Sequence, residues 1–290
     1  MTPIRKIIPC VLVLSMLLAA CVDSQSEPAD PAPAYQPELI IYCENGVVAP
    51  IYEISQFFEA RYNCKVTIQN GNVRNLTSMI HLSNKGDLFI PDTNYGFSLL
   101  RHLQPDIIRD SLYIGTNRLV YIVPKSNPEK FDGQIESVSQ RQFAVIIANP
   151  ETSSLGLKTK EILKNRAIYA EVINNIMTLS VDSRGLIRSI DNGEATLAID
   201  WLSSYYYNSN RERVDTIHFL PPIPESDIYA SVLNTSEKPG LAQTFLAVLS
   251  SPVAVDIFKA HGIKKKRSGL IITSLSSTQN DTINEDNRIR

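Results

Sequence analysis

The sequence predicts an α/β fold in which mainly parallel sheets are flanked by helices. Two patterns carry that prediction. Between residues 38 and 265, short apolar runs of strand length alternate with segments whose apolar residues recur at helical spacing, the order expected of repeated strand–helix–strand units. One run, Phe-Ala-Val-Ile-Ile at residues 143–147, is apolar throughout, as a strand covered on both faces must be.

The elements follow in order. Residues 39–43 read as the first strand and residues 50–62 as a helix, with Ile51, Ile54, Phe57 and Phe58 forming a stripe directed at the sheet. A second strand follows at 65–69, a second helix at 75–82 and a short third strand at 87–90. Residues 118–123 make a strand closed by Pro124, which has no amide hydrogen to donate. Helices are expected at 155–166, 183–191 and 238–249, and further strands at 143–147, 195–199 and 228–233. Length alone allows one large domain or two smaller ones.

Hydrophobic residues make up 43% of the chain and charged residues 20%, a balance that supports a water-facing folded body. The formal net charge of -2 provides no global basic field, so no nucleic-acid partner is expected and any anion site has to be local. At the N-terminus, Arg5 and Lys6 precede the apolar run 7–20, which is shorter than a bilayer span and has the shape of a signal peptide over residues 1–20. The run ends in Leu18-Ala19-Ala20-Cys21, which resembles the lipobox of bacterial lipoproteins. That resemblance implies lipidation of Cys21 and a body anchored in the cell envelope, facing the periplasm or the exterior. Residues 21–37, rich in Ser, Asp, Glu, Pro and Ala, read as a disordered tether, and residues 266–290 as a disordered tail. Cys43 and Cys64 then remain in an oxidising compartment. They fall at opposite ends of successive predicted strands, which places them out of bridging range if those strands are parallel neighbours. Two buried free thiols are favoured over a disulfide.

Four stretches, in order along the body, resemble the molybdate-binding protein family and its relatives among the type II periplasmic solute-binding proteins. The first is Tyr42-Cys43-Glu44-Asn45-Gly46, followed by Glu53-Ile54, Phe58-Glu59 and Lys65-Val66. The second is Gly86-Asp87-Leu88-Phe89-Ile90-Pro91. The third and most specific is Ala148-Asn149-Pro150-Glu151 with Gly156 beyond it. The fourth is Asn192-Gly193-Glu194-Ala195, completed by Ser250-Ser251-Pro252 and Ala260-His261-Gly262-Ile263. The resemblance implies two α/β lobes joined by two crossing segments, with residues 38–121 and 217–265 in one lobe and 122–216 in the other. It further implies a small oxyanion ligand, molybdate or tungstate first, taken up between the lobes for the membrane subunits of an ABC transporter. It implies a monomer with no cofactor.

An oxyanion leaving water can exchange its hydration for backbone N–H groups at helix N-termini, where the helix dipole is positive. Four turns are in the matching positions. They are Asn45-Gly46, with Gly46 where the family often has serine, Gly71-Asn72-Val73, Thr152-Ser153-Ser154 after the Ala148–Glu151 motif with Ser153 the favoured contact, and Ser183-Arg184 at the start of a helix, with Trp201 where the family has a tyrosine. Each of these residues also suits an ordinary cap, turn or packing role, and the two roles are compatible. Against a plain dianion stand Glu44 and Asp200, carboxylates beside two of the expected contacts. Arg74 and Arg184 either neutralise them, bind the ligand directly, or form ion pairs on the rim of the cleft.

An enzyme is the weaker reading. The four histidines are dispersed, there is no direct cation site by spacing, and neither HExxH, GxSxG nor a phosphate-binding GxxxxGK[ST] occurs. A binding module for another anion, or a non-transport sensor using the Tyr205-Tyr206-Tyr207 cluster as a contact, is the remaining alternative.

Overall fold

The computed structural model describes residues 36–176 and 178–265. The signal segment 1–20, Cys21, all but the end of the tether and the tail 266–290 lie outside the described residues.

The chain builds two five-stranded sheets. The first half runs β1 (Glu38–Glu44), α1 (Val48–Tyr62), β2 (Lys65–Gly71), α2 (Val73–Ser83), β3 (Leu88–Ile90), α3 (Asn94–Leu103) and β4 (Ile108–Asn117). The second sheet is laid down by β5 (Leu119–Pro124), β6 (Val145–Ala148), α4 (Ser154–Asn165), α5 (Tyr169–Asn175), β7 (Leu179–Ser180), α6 (Ser183–Asp191), β8 (Leu197–Trp201), α7 (Leu202–Tyr205), α8 (Asn210–Arg213) and β9 (Val214–Ile217). The strand β10 (Ser226–Leu233) then rejoins the first sheet, and α9 (Pro239–Val248) and α10 (Pro252–Ala260) finish the lobe. The strand orders are β2-β1-β3-β10-β4 and β7-β6-β8-β5-β9.

Both sheets are mixed, not mainly parallel. β1 is parallel to β2 and β3, and β6 to β7 and β8. Every antiparallel pair involves β10 or β5. These are the first strands after each passage between sheets, and they arrive without the helical crossover that makes successive strands parallel. The strand β5, expected to straddle a boundary at residues 121 and 122, pairs along its length with β8 and β9 of the second sheet.

Strand alternation divides the first lobe's core into two layers. Leu39, Ile41 and Cys43 pack with α1, α9 and α10 residues such as Ile51, Phe58 and Phe245, while Tyr42 and Phe89 pack with Leu76, Ile80 and Phe97 on the other side. Within α1 the buried face is Ile51, Ile54, Ser55 and Phe58. Phe57, expected on that face, is 38% exposed, because one residue on a helix turns the side chain by about 100° away from its neighbour. The second lobe encloses one core, built around Val120, Ile122, Ile147, Leu197 and Ile199.

Cys43 and Cys64 are both buried and free. Cys43 stands opposite Asn70 in the β1–β2 register, while Cys64 immediately precedes Lys65, which stands opposite Glu38. That offset separates them by on the order of 20 Å along the strands. We therefore expect neither thiol to react rapidly with a thiol reagent in the folded protein, and both to react once it is unfolded in guanidinium. A non-reducing mass two hydrogens lower, traced to a peptide joining residues 43 and 64, would refute this register.

Candidate ligand site between the lobes

The strands β1, β3 and β8 each deliver a carboxyl group to one region between the lobes. Glu44 is the last residue of β1, Asp92 follows β3 by two residues, and Asp200 is the penultimate residue of β8. All three side chains are buried.

Glu44 bridges the lobes. Its Oε2 accepts from the Asp92 amide at 2.9 Å and from Ser154 Oγ at 2.8 Å, and its Oε1 accepts from the Ser154 amide at 3.0 Å. The Val73 amide also favours its charged form. Two of these donors, Val73 and Ser154, are the first residues of α2 and α4, so the carboxylate occupies helix N-termini of the kind that attract anions. Asp92 Oδ2 accepts from the Gly46 amide at 3.2 Å and, across the lobes, from Trp201 Nε1 at 3.0 Å. Asp200 Oδ1 accepts from Ser183 Oγ at 2.6 Å, the Trp201 amide at 2.7 Å and Ser204 Oγ at 3.2 Å. Among the described residues, Asp92 Oδ1 and Asp200 Oδ2 are buried without a hydrogen-bond partner.

Burial dominates the protonation of all three. Burial and the nearby Glu44 charge push Asp92 well above the usual carboxylate range. Burial also raises Glu44, but four hydrogen bonds to its charged form oppose the shift. Of the two, Asp92 is the one pushed further toward its neutral form, because the four hydrogen bonds favour charge on Glu44. Burial raises Asp200 to about 7.

The predicted contacts are brought together, with their polar groups largely engaged. Asn45 and Asn72 line a cavity of about 10 Å³ with Glu44, Asp92, Ser153 and Ser183. Asn72 Oδ1 caps α2 by accepting from the Asn75 amide, and Ser153 Oγ caps α4 by accepting from the Gly156 amide at 2.9 Å. Val73 is buried at the start of α2. Asn45 Oδ1 accepts from Asn70. Trp201 is fully buried and presses its indole on Gly46, where an added Cβ would lie 2.5 Å from Trp201 Cδ1 and 2.7 Å from Asp92 Oδ1. A serine at position 46 therefore requires the Trp201 or Asp92 side chain to shift.

Neither arginine neutralises Glu44 or Asp200. Arg74 Nε instead donates to the Glu151 carbonyl of the other lobe at 2.7 Å, and Arg184 pairs with Asp182 at 3.0 Å on an exposed surface. Arg74 is taken up by a backbone carbonyl across the lobe boundary, and Arg184 by the carboxylate two residues before it.

Beside the small cavity lies a larger one of about 460 Å³, which shares Asn45 and Ser183 with it and extends between α1, β2 and the segment around Tyr207. Among the described residues, no group of three His, Cys, Asp or Glu side chains is arranged to hold a metal ion.

The sequence profile of the bacterial extracellular solute-binding proteins matches residues 39–264 of this chain. The chain belongs to that family. Membership places this solute-binding protein in the periplasm or at the cell exterior. Solved structures with the same two-lobed fold include a periplasmic thiamin-binding protein (TM-score 0.68, 15% identity, covering 81% of this chain and 85% of that one). The periplasmic molybdate-binding protein of Azotobacter vinelandii is similar at TM-score 0.67 and 15% identity, over 79% of this chain and 100% of that one. The sulfate-binding protein SubI of Mycobacterium tuberculosis reaches 0.66 at 14% identity, over 80% and 88%. No curated protein sequence is matched. At these identities the structural likeness establishes the fold of this solute-binding protein, and its ligand has to be read from its own residues.

Sequence reasoning missed Asp92 and, within the Thr152–Ser154 turn, favoured Ser153 over Ser154. The signal for Asp92 was positional: it follows the Gly86–Pro91 motif, just past the C-terminal end of a strand, where ligands of open α/β sheets collect. Ser154 stands one residue after the favoured Ser153, and only the observed cap shows which hydroxyl serves the helix and which faces the neighbouring lobe.

Proposed function

We propose that this protein is the receptor of an ABC-type uptake system and holds a small oxyanion between its lobes, anchored to the envelope through lipid on Cys21. The observation that carries the reading is Asp92 Oδ1, buried and lacking a partner, on a residue that lines the small cavity with Asn72 and Ser153, the caps of α2 and α4. A protonated Asp92 presents an O–H donor there, and an oxyanion supplies the acceptor it lacks. The Ser154 amide at the α4 N-terminus, now turned to Glu44 of the other lobe, becomes available as the lobes part. Molybdate and tungstate are the first candidates, since a molybdate-binding protein shares this fold.

Because the donor role of Asp92 requires its proton, affinity is expected to fall as pH rises. The direct test is thermal unfolding of the purified protein with molybdate, tungstate, sulfate and phosphate at pH 5.5 and pH 8, since a ligand that binds only the folded state raises Tm. We expect at least one anion to raise Tm, and to do so more at pH 5.5. No shift with any anion at either pH would remove the oxyanion reading and leave the solute-receptor assignment alone.

A further inference from the structure

We propose that the solute is an organic oxyanion, an anionic group borne on a polar ring, whose body occupies the 460 Å³ cavity beside the acid cluster. This rests on the oxyanion reading above and extends it from the head group to the whole molecule.

Size is the first argument. A bare tetrahedral anion is matched by a site a few ångströms across, whereas this cavity lies within the range of about 300–1,000 Å³ that holds organic ligands. Continuity is the second. Asn45 and Ser183 line both this cavity and the small one at Asp92, so a molecule with its anionic end at Asp92 has its remainder directed here.

The chemistry of the lining is the third. Val66 and Ile68 of β2 provide an apolar floor, and Tyr52 and Tyr207 contribute an aromatic ring from each lobe. Between them stand Gln56 and Asn208, which like the two tyrosines hydrogen-bond through their side chains to no other described residue. Amides and phenols both donate and accept, which matches ring hydroxyl groups, while tyrosine faces suit the C–H face of a ring. Charge is sparse. Arg184 pairs with Asp182, and Glu59 Oε1 accepts from the Val66 amide at 2.6 Å. The cavity therefore favours an uncharged polar body, with the anionic group placed at the helix N-termini next door. Because residues from both lobes line it, such a ligand also holds the lobes together.

The test compares inorganic phosphate with glucose 6-phosphate and ribose 5-phosphate, by titration calorimetry on the purified protein at pH 5.5. It uses two variants in addition to the wild type. Ala49→Trp places an indole in the larger cavity from the first turn of α1, away from Glu44, Asp92 and Ser154, and Tyr207→Ala removes one aromatic wall without adding bulk. We expect at least one ester to bind tenfold or more tighter than inorganic phosphate, and both variants to abolish that advantage while leaving phosphate affinity within twofold. Equal affinity for phosphate and both esters, or an ester advantage that survives both variants, overturns the organic-body proposal and leaves the oxyanion reading standing. Failure of phosphate and both esters to bind, in a protein that also gives no Tm shift with molybdate, tungstate or sulfate, sinks the oxyanion reading and this proposal with it.

Discussion

Asp200→Asn is expected to raise the Tm of the protein at pH 8 by roughly 5–10 °C and to leave it nearly unchanged at pH 4. The physical basis is a buried carboxyl group without a countercharge. In the folded protein it keeps its proton up to about pH 7, against a normal value of 3.8. A folded-state pKa above the unfolded one means that the stabilisation by the bound proton is fully present below pH 3.8 and is lost as pH rises through about 7. A shift of this size corresponds to on the order of 4 kcal/mol across that window. Asparagine is uncharged at every pH, and its carbonyl oxygen can accept the same three hydrogen bonds that Asp200 Oδ1 accepts from Ser183, Trp201 and Ser204. Its amide then falls where Oδ2 has no partner, as the proton of the neutral acid does, so the two proteins match in acid and diverge above neutrality. Melting curves from pH 4 to pH 8 decide the matter. If wild type and variant follow parallel pH profiles, Asp200 is already solvated or paired and the buried-acid account is wrong.

The second large effect concerns Asp92. Its Oδ2 is held by the Gly46 amide and Trp201 Nε1, both of which can only donate. Asp92→Asn must therefore turn its carbonyl oxygen to them and its NH₂ to the position of the unpartnered Oδ1. The variant offers at all pH values the donor that the wild type offers only when protonated, and it removes repulsion from Glu44. We expect the variant's oxyanion affinity to lose most of the pH dependence that the Asp92 proton gives the wild type, and to exceed the wild-type affinity wherever wild-type Asp92 is ionised. Asp92→Leu, which has no donor, is expected to bind the anion weakly at pH 5.5 and pH 8 alike. Calorimetric titration with whichever inorganic anion shifts Tm measures this. An Asp92→Asn protein with the wild-type affinity and pH profile would place the proton-dependent donor elsewhere.

Much of the fold was legible because burial imposes periodicity. The helix at 183–191 was read to the residue, with Leu186, Ile187 and Ile190 on one face, and the strand at 39–43 was short of the observed β1 by one residue at each end. The strand β4 was missed for an equally physical reason. Its first half carries Arg109 and Asp110, is only partly buried and lies against β10 at an edge of the sheet, so neither alternation nor an apolar run marks it. The helix α3 escaped too, its stripe of Phe97 and Leu100 being too short to stand out.

The four turns were legible as a set, and Glu44 and Asp200 were recognised as carboxylates in unexpected places. What those carboxylates do was not legible. A sequence places Glu44 next to Asn45, but that its oxygens would meet Ser154, 110 residues later in the chain, follows only from how the lobes close. The same holds for Asp92 and the indole of Trp201, 109 residues apart. Local order determined the strands, helices and caps of this protein, because those depend on hydrogen bonds and burial patterns repeating within a few residues. Tertiary structure alone decided that three acids share a buried region, since protonation responds to charge and solvent across space, without regard to distance along the chain.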